Sequence, residues 1–304
     1  ALKLKAKNMD NPPLEAEILL SGILKKPREF SLTHGEKPLA KSQIAKYRQL
    51  IKRRLRGEPV AYLTGRKEFY SLNFLVNKNV LIPRPETELL VEEALKLVTR
   101  NSQPVTLADV GTGSGCIIIS LAKYLHTKFP RQNNFQFLAS DISPRALAVA
   151  KKNAEYHKVA KKIKFIKGDL LFPLMHNSSF TCPPKLGRRG IIHNSLIILA
   201  NLPYGWKAWK NNCSLNTIGL KFEPPTALFT GQRGLELYEK LFQQIRTLRV
   251  SRCALGEIIA LCEFDPRQTK MMKQLIKHEL PAAKCQIKKD LAGLNRLAII
   301  TVKT

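Results

Sequence analysis

A chain of 304 residues that is 44% hydrophobic and 24% charged carries enough apolar material for about two buried cores and excludes a mainly disordered polymer. Lys and Arg number 51 against 23 Asp and Glu, a net charge of +28, and no run of about 18 apolar residues exists to build a membrane-spanning helix. The excess divides as +9 over residues 1–100, +10 over 101–200 and +9 over 201–304. It therefore supplies solubility and long-range attraction to polyanions without marking one binding face.

The six cysteines, Cys116, Cys182, Cys213, Cys253, Cys262 and Cys285, form no C-x-x-C pair. Such sparse, unpatterned thiols argue for reduced cytosolic cysteines, against a disulfide scaffold or a zinc ribbon. Residues 1–10 are basic and lack the apolar stretch of a secretory signal. The chain begins at alanine, so residues before it are expected.

In chain order, residues 13–25 and 38–56 read as amphipathic helices. In the second, Leu39, Ile44, Tyr47, Leu50, Ile51 and Leu55 recur at helical spacing, and Gly57 supplies a stop. These predict a small helical N-terminal domain over residues 1–65. Residues 68–82 alternate in part, and the Asn77-Lys78-Asn79 break predicts a hairpin there. With a helix over 86–99 it forms a connector spanning 66–100.

From 101 to 304 short apolar runs alternate with amphipathic helices. Strands are expected at 105–109, 135–140, 163–167, 196–200 and 253–259, with helices at 114–126, 144–157, 234–249 and 266–278. That alternation predicts an α/β domain with a parallel sheet covered on both faces. Residues 283–290 and 296–302, separated by a Gly-containing turn, predict a closing antiparallel hairpin. The segment 176–194, with no acidic residue and with Cys182-Pro183-Pro184 and Arg188-Arg189-Gly190, reads as a surface loop lengthening a crossover.

The strongest local signal is Asp109-Val110-Gly111-Thr112-Gly113-Ser114-Gly115, at the end of the first sheet strand and opening a helix. Glycines there let the backbone turn tightly and approach a ligand. The spacing is G-x-G-x-G, not the dinucleotide G-x-G-x-x-G. Asp141 ends the second strand, where a carboxylate can accept both hydroxyls of a ribose, and Asp169 ends the third, beside the place of an adenine. A glycine loop and two aspartates on consecutive strand ends, without a pyrophosphate clamp, point to S-adenosylmethionine.

The fourth strand ends in Asn201-Leu202-Pro203-Tyr204. An Asn side-chain oxygen and a neighbouring main-chain carbonyl can accept both hydrogens of a planar –NH2 group, while Tyr204 stacks on its face. Such a clamp suits methylation of an amide or exocyclic amine, whose lone pair is delocalised and must be aimed at the methyl carbon. The candidate catalytic residues are therefore Asn201 and Tyr204, with Leu202 and Pro203 completing the substrate site. No metal site is expected.

These segments resemble the peptide-chain-release-factor glutamine methyltransferases (HemK/PrmC-like) over nearly the whole chain. Leu14-Glu15-Ala16-Glu17-Ile18-Leu19-Leu20 looks like the family's first helix. Arg53-Arg54, then Gly57-Glu58-Pro59-Val60-Ala61-Tyr62-Leu63-Thr64-Gly65, resembles its "RR..GEPVAYI.G" segment. Leu81-Ile82-Pro83-Arg84-Pro85-Glu86-Thr87-Glu88 is similar to its "LIPRP[DE]TE" motif. Glu223-Pro224-Pro225-Thr226-Ala227-Leu228-Phe229 with Gly231 and Gly234, and Asp290-Leu291-Ala292-Gly293 with Arg296, resemble later family segments.

The resemblance implies a helical N-terminal domain and a class I S-adenosylmethionine-dependent methyltransferase domain, Rossmann-like with a C-terminal antiparallel hairpin. It implies methylation of the glutamine of the GGQ tripeptide in class I release factors, by a cytoplasmic monomer whose partner is that protein and for which nucleic acid is not required. Gly111, Thr112, Gly113, Ser114, Gly115, Asp141, Asp169, Leu170 and Asn201 would line the cofactor. Arg84 and Glu86 would help fix the domain interface. One departure stands out: the family pattern is N-P-P-Y and this chain has N-L-P-Y, which also resembles the ribosomal-RNA adenine dimethyltransferases. An adenine amino-methyltransferase is the alternative, and a non-catalytic RNA- or ribosome-associated subunit a third reading.

Overall fold

The computed structural model describes residues 1–304 except 8, 10, 101–103, 131–133, 176–184, 188–189, 193, 207–214, 251–254 and 304. Five helices open the chain: α1 (Leu2–Lys5), α2 (Pro12–Leu24), α3 (Arg28–Thr33), α4 (Lys41–Leu55) and α5 (Val60–Thr64). Asn11 caps α2 by accepting the Leu14 N–H, and Pro12 at its first position has no N–H to leave unpaired. Helix α4 starts three residues later than its apolar spacing predicts; Ala40 is extended and its N–H is taken by the Gln43 side chain. Arg54 grips Glu15 through two bonds of 2.8 and 2.7 Å, tying α4 to α2.

Strands β1 (Arg66–Phe69) and β2 (Leu72–Leu75) form the expected hairpin, but its turn is at Tyr70-Ser71, not at residues 77–79. Both turn residues have positive φ, 50° and 57°, the geometry that matches strand twist in a two-residue hairpin. The Tyr70 N–H is held by Glu88, and Phe69 and Phe74 on the two strands are buried in the core. Tertiary packing thus fixes a turn that the sequence does not advertise. Residues 77–79 instead make an Asn-centred turn, the Asn79 N–H donating to Asn77 Oδ1.

After α6 (Glu88–Arg100) come β3 (Val105–Val110), α7 (Cys116–Lys128), β4 (Phe135–Asp141), α8 (Pro144–Tyr156), β5 (Ile163–Lys167) and α9 (Phe172–Met175). Of segment 176–194, the described residues form two short antiparallel strands, β6 (Lys185–Gly187) and β7 (Gly190–Ile192), and the start of β8; the rest lies outside the described residues. Then follow β8 (Asn194–Ala200), α10 (Pro225–Leu228), α11 (Glu236–Val250), β9 (Leu255–Glu263), α12 (Thr269–Glu279), β10 (Lys284–Lys289) and β11 (Asn295–Lys303).

The seven-stranded sheet has the order β10-β11-β9-β8-β3-β4-β5. Five strands are parallel, and β11 pairs antiparallel with both β9 and β10, giving the expected hairpin edge. All six residues of β3 are buried, as a central parallel strand covered on both faces requires. Its side chains alternate between two cores: Val105 and Leu107 on one side, Ala108 and Val110 on the other. The chain runs outward from β3 to β4 and β5, then returns to place β8 on the opposite flank. The strand order therefore reverses between β3 and β8, and a ligand crevice belongs at their carboxyl ends. Among the described residues no helix is long and apolar enough to cross a membrane.

Candidate active site

Two cavities meet at that crevice. One, of about 410 Å³, is lined by Gly111, Thr112, Gly113, Ser114, Asp141, Asp169, Leu170, Asn201 and Leu202. The other, of about 440 Å³, is lined by Asn201, Leu202, Pro203, Tyr204, Arg84, Glu86, Glu223, Glu263 and Arg296, with Arg54 and Pro59 reaching in from the helical unit. Asn201, Leu202 and Pro203 border both.

The first cavity is built around three strand ends. Gly111, Gly113 and Gly115 have φ of 71°, 56° and 80°, a region that side chains rarely adopt. A Cβ on Gly111 would come within 3.0 Å of Leu202. The Gly111 and Thr112 N–H groups both donate to the Ser140 carbonyl at 2.9 Å, while the Ser140 hydroxyl donates to the Leu170 carbonyl at 2.6 Å. Ser140 thereby staples the glycine loop and the turn after β5 to the end of β4. Leu170 itself sits at φ 53°, a conformation an L-residue keeps only when its surroundings hold it. Asn153 of α8, fully buried, donates to the Ser114 carbonyl at 2.8 Å and bonds both ways with Leu75, locking the hairpin to the loop.

Asp141 lines this cavity while accepting the Gly113 N–H at 2.9 Å and the Ser143 N–H at 2.8 Å. Burial pushes its pKa up, against the pull of those two amides. Each carboxylate oxygen keeps a further lone pair for a ligand hydroxyl. Asp169 is partly exposed and ion-paired with Lys240 of α11. Asp109, below the loop, is wholly buried; its carboxylate accepts the Thr112 hydroxyl at 2.6 Å, and burial raises its pKa to about 7. It supports the loop from beneath.

In the second cavity the turn after β8 is held from several sides. Asn201 Nδ2 donates to the Thr87 hydroxyl at 2.9 Å, so the amide nitrogen is committed and Oδ1 remains the acceptor. The Gln268 side chain donates to the carbonyls of Tyr204 and Arg233, each at 3.0 Å. Gly205 pairs with residues 228–230 across a short parallel bridge. The Tyr204 hydroxyl donates to Glu263 at 3.4 Å. Burial, then the nearby Glu263 charge, drive the Tyr204 pKa far above its ordinary value, so its hydroxyl keeps its proton. Glu263 at the end of β9 is wholly buried, and burial raises its pKa to about 7 although Thr87 and Arg296 favour the anion.

Arg84 pairs with Glu223, which also accepts the Ile82 N–H at 3.0 Å. The charge pair ties the segment before α6 to the segment before α10, and both contribute to the wall of the second cavity. The sequence points to Asn201, Tyr204, Asp141 and the glycine loop, all of which line the two cavities, but gives no role to Thr87 or Glu263, which line them as well. Glu263 also sits at the carboxyl end of a sheet strand, the rule that selected Asp141 and Asp169, but the sequence predicts an end to that strand at Ile259.

The first cavity suits S-adenosylmethionine. Its volume falls in the range of small-molecule sites, about 300–1,000 Å³; its glycines leave room where Cβ atoms would stand, and Asp141 lines it with a carboxylate able to accept a ligand hydroxyl. This sheet, glycine loop and N-L-P-Y turn define a class I S-adenosylmethionine-dependent methyltransferase. The PrmC N-terminal domain model matches residues 1–65, and a methyltransferase domain model matches residues 101–180. A release factor glutamine methyltransferase of Koribacter versatilis is 37% identical over 81% of this chain and 78% of its own. Another, from Moorella thermoacetica, is 35% identical over 97% of this chain and 93% of its own. The chain belongs to the release factor glutamine methyltransferase family. The hMettl16 catalytic domain, solved with a MAT2A 3'UTR hairpin, shares the fold at a TM-score of 0.54 and 15% identity, covering 80% of each chain.

Proposed function

We propose that this chain methylates the side-chain amide nitrogen of the glutamine in the GGQ motif of class I peptide chain release factors, with S-adenosylmethionine as donor. One observation carries the reading: Asn201 stands where the two cavities join, with its nitrogen tied to Thr87 and its oxygen without a hydrogen-bond partner among the described residues. Bound in the first cavity, the cofactor supplies a sulfonium-activated methyl group.

The chain's own residues then do the rest. Asn201 Oδ1 and the Leu202 carbonyl accept the two amide hydrogens and aim the nitrogen toward the cofactor cavity. Both acceptors also stabilise the positive charge that grows on nitrogen during attack. Tyr204 covers the face of the planar amide. Fixing the two partners in line contributes about 7–11 kcal/mol to lowering the barrier. No strong base is needed, because the alkylated amide nitrogen is acidic and loses its proton late.

Gly111, Thr112, Gly113, Ser114, Gly115, Asp141, Asp169 and Leu170 contact the cofactor in this reading. Residues 1–65 serve substrate recognition, 66–100 connect, and 101–304 carry the chemistry. The second cavity, to which Arg54 and Pro59 of the helical unit contribute, receives the glutamine-bearing loop. The protein works in the cytoplasm, as a monomer, on a protein partner. The adenine alternative is not favoured: relatives matched over most of their length are named for release factors. Incubation with labelled S-adenosylmethionine and either a release factor or total RNA separates the two, with label on the release factor expected and label on RNA alone overturning the reading.

A further inference from the structure

Tyr238 of α11 is fully buried, and its hydroxyl stands between the ends of β8 and β9. It faces the Ala200 carbonyl at 3.3 Å and the Glu263 carbonyl, and it accepts the Leu202 N–H at 3.2 Å. Burial keeps its proton in place, raising the pKa well above the usual phenol range. One proton can serve the two carbonyls, and a lone pair serves Leu202.

Leu202 is the second residue of N-L-P-Y and is 2% exposed. A proline there would have fixed φ and brought no N–H. Leucine leaves φ free and brings a buried donor that has to be satisfied. Pro203 restricts Leu202 to extended conformations but does not fix its orientation.

We propose that Tyr238 is a positioning residue for the methyl transfer: by holding the Leu202 N–H it fixes the turn that presents Asn201 Oδ1 and the Leu202 carbonyl to the substrate amide. It does the work that a proline ring would otherwise do. The proposal rests on the glutamine-amide reading of that turn.

The test uses the full chain as Tyr238→Phe, Leu202→Pro and the double variant. Each is assayed with a GGQ peptide for kcat and KM, for S-adenosylmethionine affinity by calorimetry, and for amide hydrogen exchange. Tyr238→Phe orphans the Leu202 N–H: kcat falls roughly tenfold or more while cofactor affinity stays within about threefold. The Leu202 amide, protected in the parent protein, exchanges roughly tenfold or more faster in Tyr238→Phe. With proline at 202 no donor remains, so adding Tyr238→Phe lowers kcat by roughly threefold or less. The same loss in both backgrounds, or an unchanged Leu202 exchange rate, overturns the proposal. Should Leu202→Pro fail to fold, the exchange rate in Tyr238→Phe decides alone. Failure of the parent protein to methylate glutamine would refute the reaction instead, and leaves the exchange measurement to judge the Tyr238 contact.

Discussion

Thr87 offers the sharpest test of how Asn201 is aimed. Its hydroxyl accepts the Asn201 Nδ2 hydrogen at 2.9 Å and is 2% exposed as a residue, so little water reaches the pair. Thr87→Val keeps the shape and removes the acceptor. A typical bond contributes about 0.5–1.5 kcal/mol net, but leaving the buried amide hydrogen unpaired costs about 1–3 kcal/mol instead. Asn201 relieves part of that by turning, which moves its oxygen away from the substrate. A net loss of about 1.4–2.8 kcal/mol corresponds to a roughly 10- to 100-fold fall in kcat/KM. Initial rates of methyl transfer to a GGQ peptide measure it, and Thr87→Ser, which restores the hydroxyl, recovers most of the loss. A valine variant within about twofold of the parent protein, or a serine variant no better than valine, would refute the orienting role.

Asp141→Ala should weaken S-adenosylmethionine binding strongly and Asp141→Asn less, since asparagine keeps one oxygen for the Gly113 N–H; calorimetry that finds alanine binding as well as aspartate removes Asp141 from the site. Gly234 has φ 76°, and a Cβ there would overlap the Tyr204 carbonyl and the Gln268 amide. Gly234→Ala should therefore lower both the melting temperature and kcat, and an unaffected kcat would show that the turn tolerates displacement. Glu263 and Asp109 have folded-state pKa values raised to about 7 from 4.5 and 3.8, so their contribution to stability is full at low pH and is lost as pH rises toward 7. Glu263→Gln should therefore gain on the parent protein in urea unfolding between about pH 5 and pH 8, whereas a pH-independent difference would contradict the shift. His126 and His157, held below the ordinary histidine value by burial, act in the opposite sense in both proteins and cancel in that comparison.

The parallel sheet was legible because β3, β4 and β8 are short apolar runs ending beside glycine, aspartate or asparagine, and β5 lies at the predicted residues 163–167. The placement of Gly111, Asp141, Asp169 and Asn201 was legible for a related reason: each stands at or just beyond the carboxyl end of a parallel strand, and all four line the first cavity. The hairpin turn at Tyr70-Ser71 was not, because two non-glycine residues adopt positive φ only once Phe69, Phe74 and Glu88 are in place. Strand β9 was read as ending at Ile259, but it continues through Ala260, Leu261 and Cys262 to Glu263. Its pairing with β11, a strand more than thirty residues later, carries it on, and local periodicity does not contain that information. The partners of Asn201, Thr87 and Tyr238 are invisible for the same reason. Their hydrogen bonds join residues far apart in sequence, and only the folded sheet brings them within reach.

The most direct measurement is mass spectrometry of a class I release factor after incubation with this protein, S-adenosylmethionine and total RNA. The expected result is the mass of one methyl group on the glutamine of the GGQ motif, absent when Asn201→Ala replaces the parent protein. An unmodified glutamine beside methylated adenine in RNA from the same incubation would contradict it.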